Sequence, residues 1–246
     1  MIENYVVIDL EMTGLNAKAD KILEVGAVLV RDAKVTETYQ AIVRPGQALS
    51  KTITELTGIT NEMAENGRDT DMVLREFLAF IGDDIIVGQN VIFDYAFLKQ
   101  WAVNHKVPLE KQAVDTLKLA RIFLPNEEKK NLEHLCAYLG IERRNAHRAL
   151  DDAIETHLVF EALKKKYGAG REDEFVPKTL QYRAKKQSPA TERQKKHLRE
   201  YASYFEIELP CELDSMTKSE ASRLTDQWFF KYGRMPRKSG TLLHTD

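Results

Sequence analysis

The stretch VVIDLEMTGL, residues 6 to 15, begins as a buried strand and then breaks the pattern of one. Val6, Val7, Ile8 and Leu10 are strand-forming and apolar, yet Asp9 and Glu11 stand among them. Side chains alternate across a strand with period two, so the two acids share a face. Neighbouring carboxylates on a low-dielectric surface repel by roughly 3–4 kcal/mol at an effective dielectric near 20. So costly an arrangement calls for a counter-charge.

Outward from this stretch, EVGAVLVR (24–31) and TETYQAIVRP, ending at Pro45, read as two further strands of an antiparallel meander, with turn-rich TGLNAKAD before them. DMVLREFLAFI predicts a helix around 70–81, and DIIVGQN a short apolar strand. VIFDYAFLKQWAVNH has helical spacing through Ile92, Ala96, Phe97 and Trp101. AVDTLKLARIF, NLEHLCAYLG and HRALDDAIETHLVFEALKKKYG supply more of both kinds. A meander followed by alternating strands and helices predicts an α/β fold, a mixed sheet flanked by helices.

The pattern changes after Tyr167. Residues 168–190 hold Gly168, Gly170, Pro177 and Pro189 among scattered Lys and Arg, and read as a basic linker. Two helices are expected beyond it, one opening on Thr191 and Gln194, the other on Thr217 and Glu220, both at capping-box spacing. The predicted organisation is therefore a domain over 1–167, a linker over 168–190 and a small helical module over 191–246. Two short helices bury little alone, so the module must pack tightly on itself or dock elsewhere.

With 43% apolar and 30% charged residues among 246, the chain can bury a substantial core. No apolar run approaches the ~18–20 residues of a membrane span. The opening MIENYVVIDLE puts acids where an export signal needs a basic and then an apolar region, so a cytoplasmic protein with no membrane partner is expected. Cys136 and Cys211 match no metal-ligand spacing, and Cys136, in an amphipathic pattern, should be a buried reduced thiol. The net charge of −2 hides an asymmetry: residues 1–163 carry 18 basic and 26 acidic side chains, residues 164–246 carry 18 and 12. An acidic body with a basic tail suggests a cation-binding part joined to one that touches phosphates, although a solvated linker explains the tail as well.

Further acids repeat the opening theme. Asp94 falls on the first turns of the helix in GQNVIFDYAFL, and Asp151 and Asp152 lie in AHRALDDA, where His147 precedes Asp152. At ~100° per residue, Asp152 falls within about 20–40° of Thr156, Val159 and Leu163 and faces inward, whereas Asp151 points outward with Glu155 and Ala162. Inward-facing Asp9, Glu11, Asp94 and Asp152 would need a cation if they gathered. Hard oxygen ligands suit Mg²⁺ or Mn²⁺, and two such ions some 3.5–4 Å apart are the recurring apparatus for phosphodiester cleavage. An imidazole ordinarily titrates near pH 6.5, so His147 suits the part of general base.

VVIDLEMTGL, IVGQNVIFDYAFL and HRALDD resemble, in order and spacing, the three motifs of the DEDDh group of 3′–5′ exonucleases, over about residues 4–167. LTGIT (56–60) and NLEHLCAYLGI add to the likeness. The resemblance implies an RNase H-like fold with a mixed five-stranded sheet and release of nucleoside monophosphates from single-stranded or frayed 3′ ends. It makes Asp9, Glu11 and Asp152 inner ligands of two Mg²⁺ or Mn²⁺ ions, places Asp94 on the second ion, and gives His147 the attacking water. Met12, Thr13, Gly14, Leu15, Asn90 and Phe93 would meet substrate, with Leu15 wedged against the terminal base and Thr13 near the 3′ hydroxyl. Met12 and Gln89 depart from the threonine and histidine that many members carry, which bears on substrate fit.

Other side chains have plainer readings. Glu24 should be half-buried in a supporting role, and Asp115 should be structural. Phe93, Tyr95, Phe97 and Trp101 could stack on bases, yet their helical spacing equally suits core packing for Phe93, Phe97 and Trp101. His105, His134, His157, His197 and His244 show no metal spacing. Lys185 and Lys186 suit the phosphate backbone. DNA is the expected substrate, the alternatives being a 3′–5′ exoribonuclease or a polymerase-accessory binding module whose 191–246 segment docks on a polymerase or another protein.

Overall fold

β1 (Tyr5–Met12) is the strand around which the sheet is built. β2 (Ile22–Arg31) pairs antiparallel with it and β3 (Lys34–Ile42) antiparallel with β2. On the other side, β4 (Ile86–Gly88) runs parallel to β1, β5 (Gln112–Asp115) parallel to β4, and β6 (Lys178–Thr179) antiparallel to β5. The six-stranded order is β3-β2-β1-β4-β5-β6. This is the expected mixed sheet with one strand more than the five that the resemblance implies.

The computed structural model describes residues 1–143, 147–209, 213–214 and 216–236, in two units, Met1–Lys186 and Gln187–Asp246. In the first unit the helices are α1 (Lys51–Thr57), α2 (Asn61–Glu65), α3 (Thr70–Ile81), α4 (Ile92–His105), α5 (Thr116–Phe123), α6 (Leu132–Leu139) and α7 (Ala149–Tyr167). α1 and α2 form where the pattern suggested no element, because Ser50 and Thr60 cap them by accepting from Ile53 N and Met63 N.

Alternate residues of β1 feed two cores. Val6, Ile8 and Leu10 pack with Val73 and Phe77 of α3 and with Tyr95 and Leu98 of α4. Tyr5 and Val7 pack with Leu119 of α5, Leu135 and Cys136 of α6, and Val159 and Phe160 of α7. Each such side chain, fully buried, contributes about 1.5–3 kcal/mol. Asp9 and Glu11 continue the second of these faces, so one face of β1 is core at its start and a polar site at its end.

The stretch read as a linker is in large part structural. Phe175 is 1% exposed between Phe123 and Phe160, and Leu180 reaches the other core. These two apolar anchors flank β6 and bind 168–186 to the first unit; the surrounding glycines and prolines mask them in the sequence. In the second unit, α8 (Glu192–Phe205) and α9 (Lys218–Tyr232) open with the expected capping boxes. Leu198, Tyr201 and Ala202 pack with Ala221 and Trp228, and Tyr201 Oη donates to the Trp228 carbonyl at 3.0 Å. Cys136 is a buried free thiol, while Cys211 and His244 lie outside the described residues. No helix among the described residues is long and apolar enough to cross a membrane.

Candidate active site

Asp9 and Glu11 emerge where the apolar part of their β1 face ends, and Asp152 reaches the same place from the first turn of α7. The approach of α7 is set by β2. Gly26, directly across from Asp9, sits so close to the helix start that a Cβ there would lie 2.2 Å from the Ala149 carbonyl carbon. Any side chain would push α7, and Asp152 with it, off the sheet.

Glu24, directly across from Glu11, is fully buried. Its carboxylate accepts from Arg148 Nη2 at 2.8 Å, Arg148 Nε at 3.1 Å, Gln40 Nε2 at 2.7 Å and the Ala149 backbone N–H at 3.2 Å. The residue at the α7 cap position, Arg148, makes no side-chain cap of its own. Glu24 therefore caps the helix from a neighbouring strand, where a carboxylate also meets the positive end of the helix dipole.

Asp94 arrives from a third direction. β4 ends at Gly88, Asn90 takes φ 58°, and α4 starts at Ile92. Asp94 Oδ1 then accepts from Leu10 N at 2.9 Å, the peptide that follows Asp9. Asp115 holds the turn, its Oδ1 accepting from Asn90 N and Leu117 N, both at 3.0 Å. Gln89 is also fixed, donating to the Lys130 carbonyl at 2.7 Å and accepting from Thr116 Oγ1 at 2.5 Å. His147 is exposed, with φ 64°. Non-glycine residues in this region cost on the order of 1 kcal/mol and cluster at functional sites. Ligand atoms of Glu11, His147 and Asp152 all lie within 4.8 Å of one another.

The gathered acids all bind protons more tightly than ordinary carboxyls. Burial, followed by repulsion from Asp94, Asp152, Glu11 and Glu24, keeps the Asp9 carboxyl well above the usual range. Burial and then Asp152, Glu24 and Asp94 push Glu11 up to about 8, against the pull of Arg148. Burial raises Asp94 to about 7 although backbone N–H groups oppose it, and raises Asp152 to about 6 although Arg143 opposes it. Such a set of hard oxygens, in mutual repulsion, fits a divalent cation.

Arg143 donates to Asp152 Oδ1 and to Glu155 Oε2, each at 2.6 Å. Glu155 is thus 3% exposed, not outward as helical geometry alone suggested. The reason is tertiary: the segment after α6 carries Arg143 back over that face of α7. The pattern of spacing gave no sign of Arg143 or Arg148 as counter-charges, because neither periodicity nor spacing links a cation to acids on other elements.

The turn after β1 presents the expected substrate residues. Thr13 N donates to the Lys21 carbonyl and Thr13 Oγ1 accepts from Lys21 N, both at 2.9 Å, and Asn16 N donates to Asp20 Oδ2 at 2.8 Å. The closed turn leaves Leu15 66% exposed. Met12 packs partly into the core, and Phe93 is half-buried. Leu15 and Phe93 line one cavity of about 310 Å³. Tyr95, Phe97 and Trp101 are buried in the core, so none of the three is open to a base; Tyr95 Oη donates to the Leu109 carbonyl at 3.1 Å.

Comparisons with known proteins agree with this geometry. Residues 6–160 match the family model described as Exonuclease (RNase T). The PolC-type DNA polymerase III of Thermotoga petrophila is 38% identical over 188 residues, covering 74% of this chain and only 14% of that much longer protein. The DNA polymerase III subunit epsilon of Aquifex aeolicus is 37% identical over 171 residues, 68% of this chain and 85% of that one. The solved nuclease domain of 3′hExo, a DEDDh family member bound to rAMP, shares the fold with a TM-score of 0.60 at 19% identity, over 73% of this chain and 98% of that chain. On the family match and the epsilon-subunit relative together, this chain belongs to the exonuclease family.

Proposed function

We propose that this chain is a divalent-metal-dependent 3′–5′ exonuclease that releases nucleoside monophosphates from single-stranded or frayed DNA 3′ ends. The observation that carries the reading is the meeting of Asp9, Glu11, Asp94 and Asp152 from β1, α4 and α7, each raised above the ordinary carboxyl range, beside His147. Asp9, Glu11 and Asp152 would hold two Mg²⁺ or Mn²⁺ ions, with Asp94 serving the second. Bound there, the ions would lower the pKa of a water and neutralise charge on the phosphate and the leaving oxygen.

The rest of the chemistry falls to the protein. His147 takes a proton from the attacking water as its oxygen bonds to phosphorus. The bond from phosphorus to the 3′ oxygen of the penultimate nucleotide breaks, and that oxygen takes a proton from solvent. Leu15 and Phe93 set the last base, and the turn at Thr13 and Gly14 meets the 3′ hydroxyl. Asn90 and Met12 shape the wall around the sugar. DNA is favoured because the relatives in sequence are DNA polymerase III proteins. The same relatives make a polymerase a candidate partner for residues 191–246, which lie beyond the family match.

Direction is tested with strands bearing non-hydrolysable linkages at one end only. A 5′-blocked strand should shorten stepwise and a 3′-blocked strand should persist. The reverse pattern would refute the polarity, and internal cutting of both would refute the exonuclease reading.

A further inference from the structure

The segment 180–186 lies beyond the residues that match the exonuclease family, yet it is firmly held in the first unit. Leu180 is 7% exposed and donates its N–H to the Lys111 carbonyl at 2.9 Å. At the other end, Gln100 on α4, itself 2% exposed, donates from Nε2 to the Lys185 carbonyl at 2.9 Å. Between these anchors Tyr182 is half-buried and packs against the core.

Tyr182 closes the same cavity of about 310 Å³ that Leu15 and Phe93 line, together with Ala17, Ile92 and Ala96. Apart from Asn16 its walls are apolar or aromatic, and they come from the turn after Glu11, from the start of α4 beside Asp94, and from the strap of residues 180–186. That volume is at the small end for ligand sites, suited to one flat ring system. Arg183, Lys185 and Lys186 follow Tyr182 on the strap and are all exposed. Aromatic surfaces for bases beside cations for phosphates are the recurring means of holding single-stranded nucleic acid without sequence choice.

We propose that Tyr182 is a base-stacking residue. The strap forms one wall of a slot for a nucleobase near the 3′ end of the substrate strand, and Arg183, Lys185 and Lys186 receive the adjoining phosphates. The proposal rests on the exonuclease reading for the source of the strand, so its test reads binding without hydrolysis.

The experiment uses the full chain in EDTA with 5′-fluorescein single-stranded DNA, intact or with abasic residues at the last two positions. A second strand carries 2-aminopurine at those positions. Tyr182→Ala should weaken binding of the intact strand about tenfold, equivalent to ~1.4 kcal/mol, and abolish 2-aminopurine quenching. Tyr182→Phe should keep both. On the abasic strand, wild type and Tyr182→Ala should bind alike. Ala17→Leu, which fills the slot from the turn, should also weaken the intact strand alone, and it covers the case in which Tyr182→Ala melts early. Unchanged binding in Tyr182→Ala and Ala17→Leu, or an equal loss on intact and abasic strands, would overturn the slot. A chain that binds in this Tyr182-dependent way but shortens no strand in Mg²⁺ would keep the slot and end the exonuclease reading. A chain that shortens strands normally with Tyr182-independent binding would do the opposite.

Discussion

Glu24 Oε2 accepts a hydrogen bond from the backbone N–H of Ala149 at 3.2 Å, so a carboxylate on β2 caps the helix that carries Asp152. Glu24 also stands across the ladder from Glu11 and binds Arg148, the residue after His147. One buried side chain thus fixes three members of the site relative to one another. Glu24→Gln keeps the volume and an acceptor but loses the charge that pairs with Arg148. It should lower kcat by about 10–100-fold, as losses of groups that orient ligands do, with KM nearly unchanged. A matched fall in kcat and rise in KM would show a general loss of the substrate site instead.

Arg143 serves Asp152 and Glu155 together, and its loss would remove the guanidinium that the two buried acids share. Arg143→Ala should destabilise the fold by about 3 kcal/mol, at the low end for breaking a buried pair, as measured by urea unfolding. Arg143→Lys should recover only part of this, since an ammonium cannot reproduce a planar fork. Full stability in Arg143→Ala would show the pairing to be dispensable.

The raised carboxyl groups make stability depend on pH with a definite sign. Glu11, Asp94 and Asp152 titrate near 8, 7 and 6 in the folded chain, all above their ordinary carboxyl values. The folded state therefore binds more protons than the unfolded one, and stability is lost as pH rises through about 6 to 8. In EDTA the chain should melt at a lower temperature at pH 8 than at pH 6, by about 2–4 °C for each kcal/mol lost. Mg²⁺ or Mn²⁺ should remove most of that difference by binding the ionised form. Equal melting temperatures in EDTA at the two pH values would contradict the clustering of the acids.

The exposed lysines of the strap give a salt-dependent prediction. Replacing Lys185 and Lys186 by Gln should weaken single-strand binding more at low salt than at high. The slope of log K against log salt should fall by about 1.4 for two lost phosphate contacts on a single strand. An unchanged slope in a salt titration would remove both residues from the nucleic-acid path.

Much of this was legible in the sequence because it rests on local rules. The period of β1 placed Asp9 and Glu11 on one face, the helical angle turned Asp152 inward, and both capping boxes marked their helices. What escaped were relations between distant elements. Helical geometry sent Glu155 to solvent because it has no knowledge of Arg143 returning over α7. The glycines and prolines of 168–190 read as a linker, since one buried phenylalanine and a two-residue strand leave almost no periodic trace. Nothing in the sequence around Gly26 marks the Ala149 backbone that packs against it.

The most direct test of the central claim takes 5′-labelled single-stranded DNA and RNA of matched sequence, with Mg²⁺, Mn²⁺ or EDTA, for wild type and Asp152→Ala. A ladder shortening from the 3′ end is expected, faster on DNA, absent in EDTA, and reduced by about a thousandfold in Asp152→Ala, with the variant still folded. Shortening that persists in EDTA, or an Asp152→Ala variant as active as wild type, would contradict the claim.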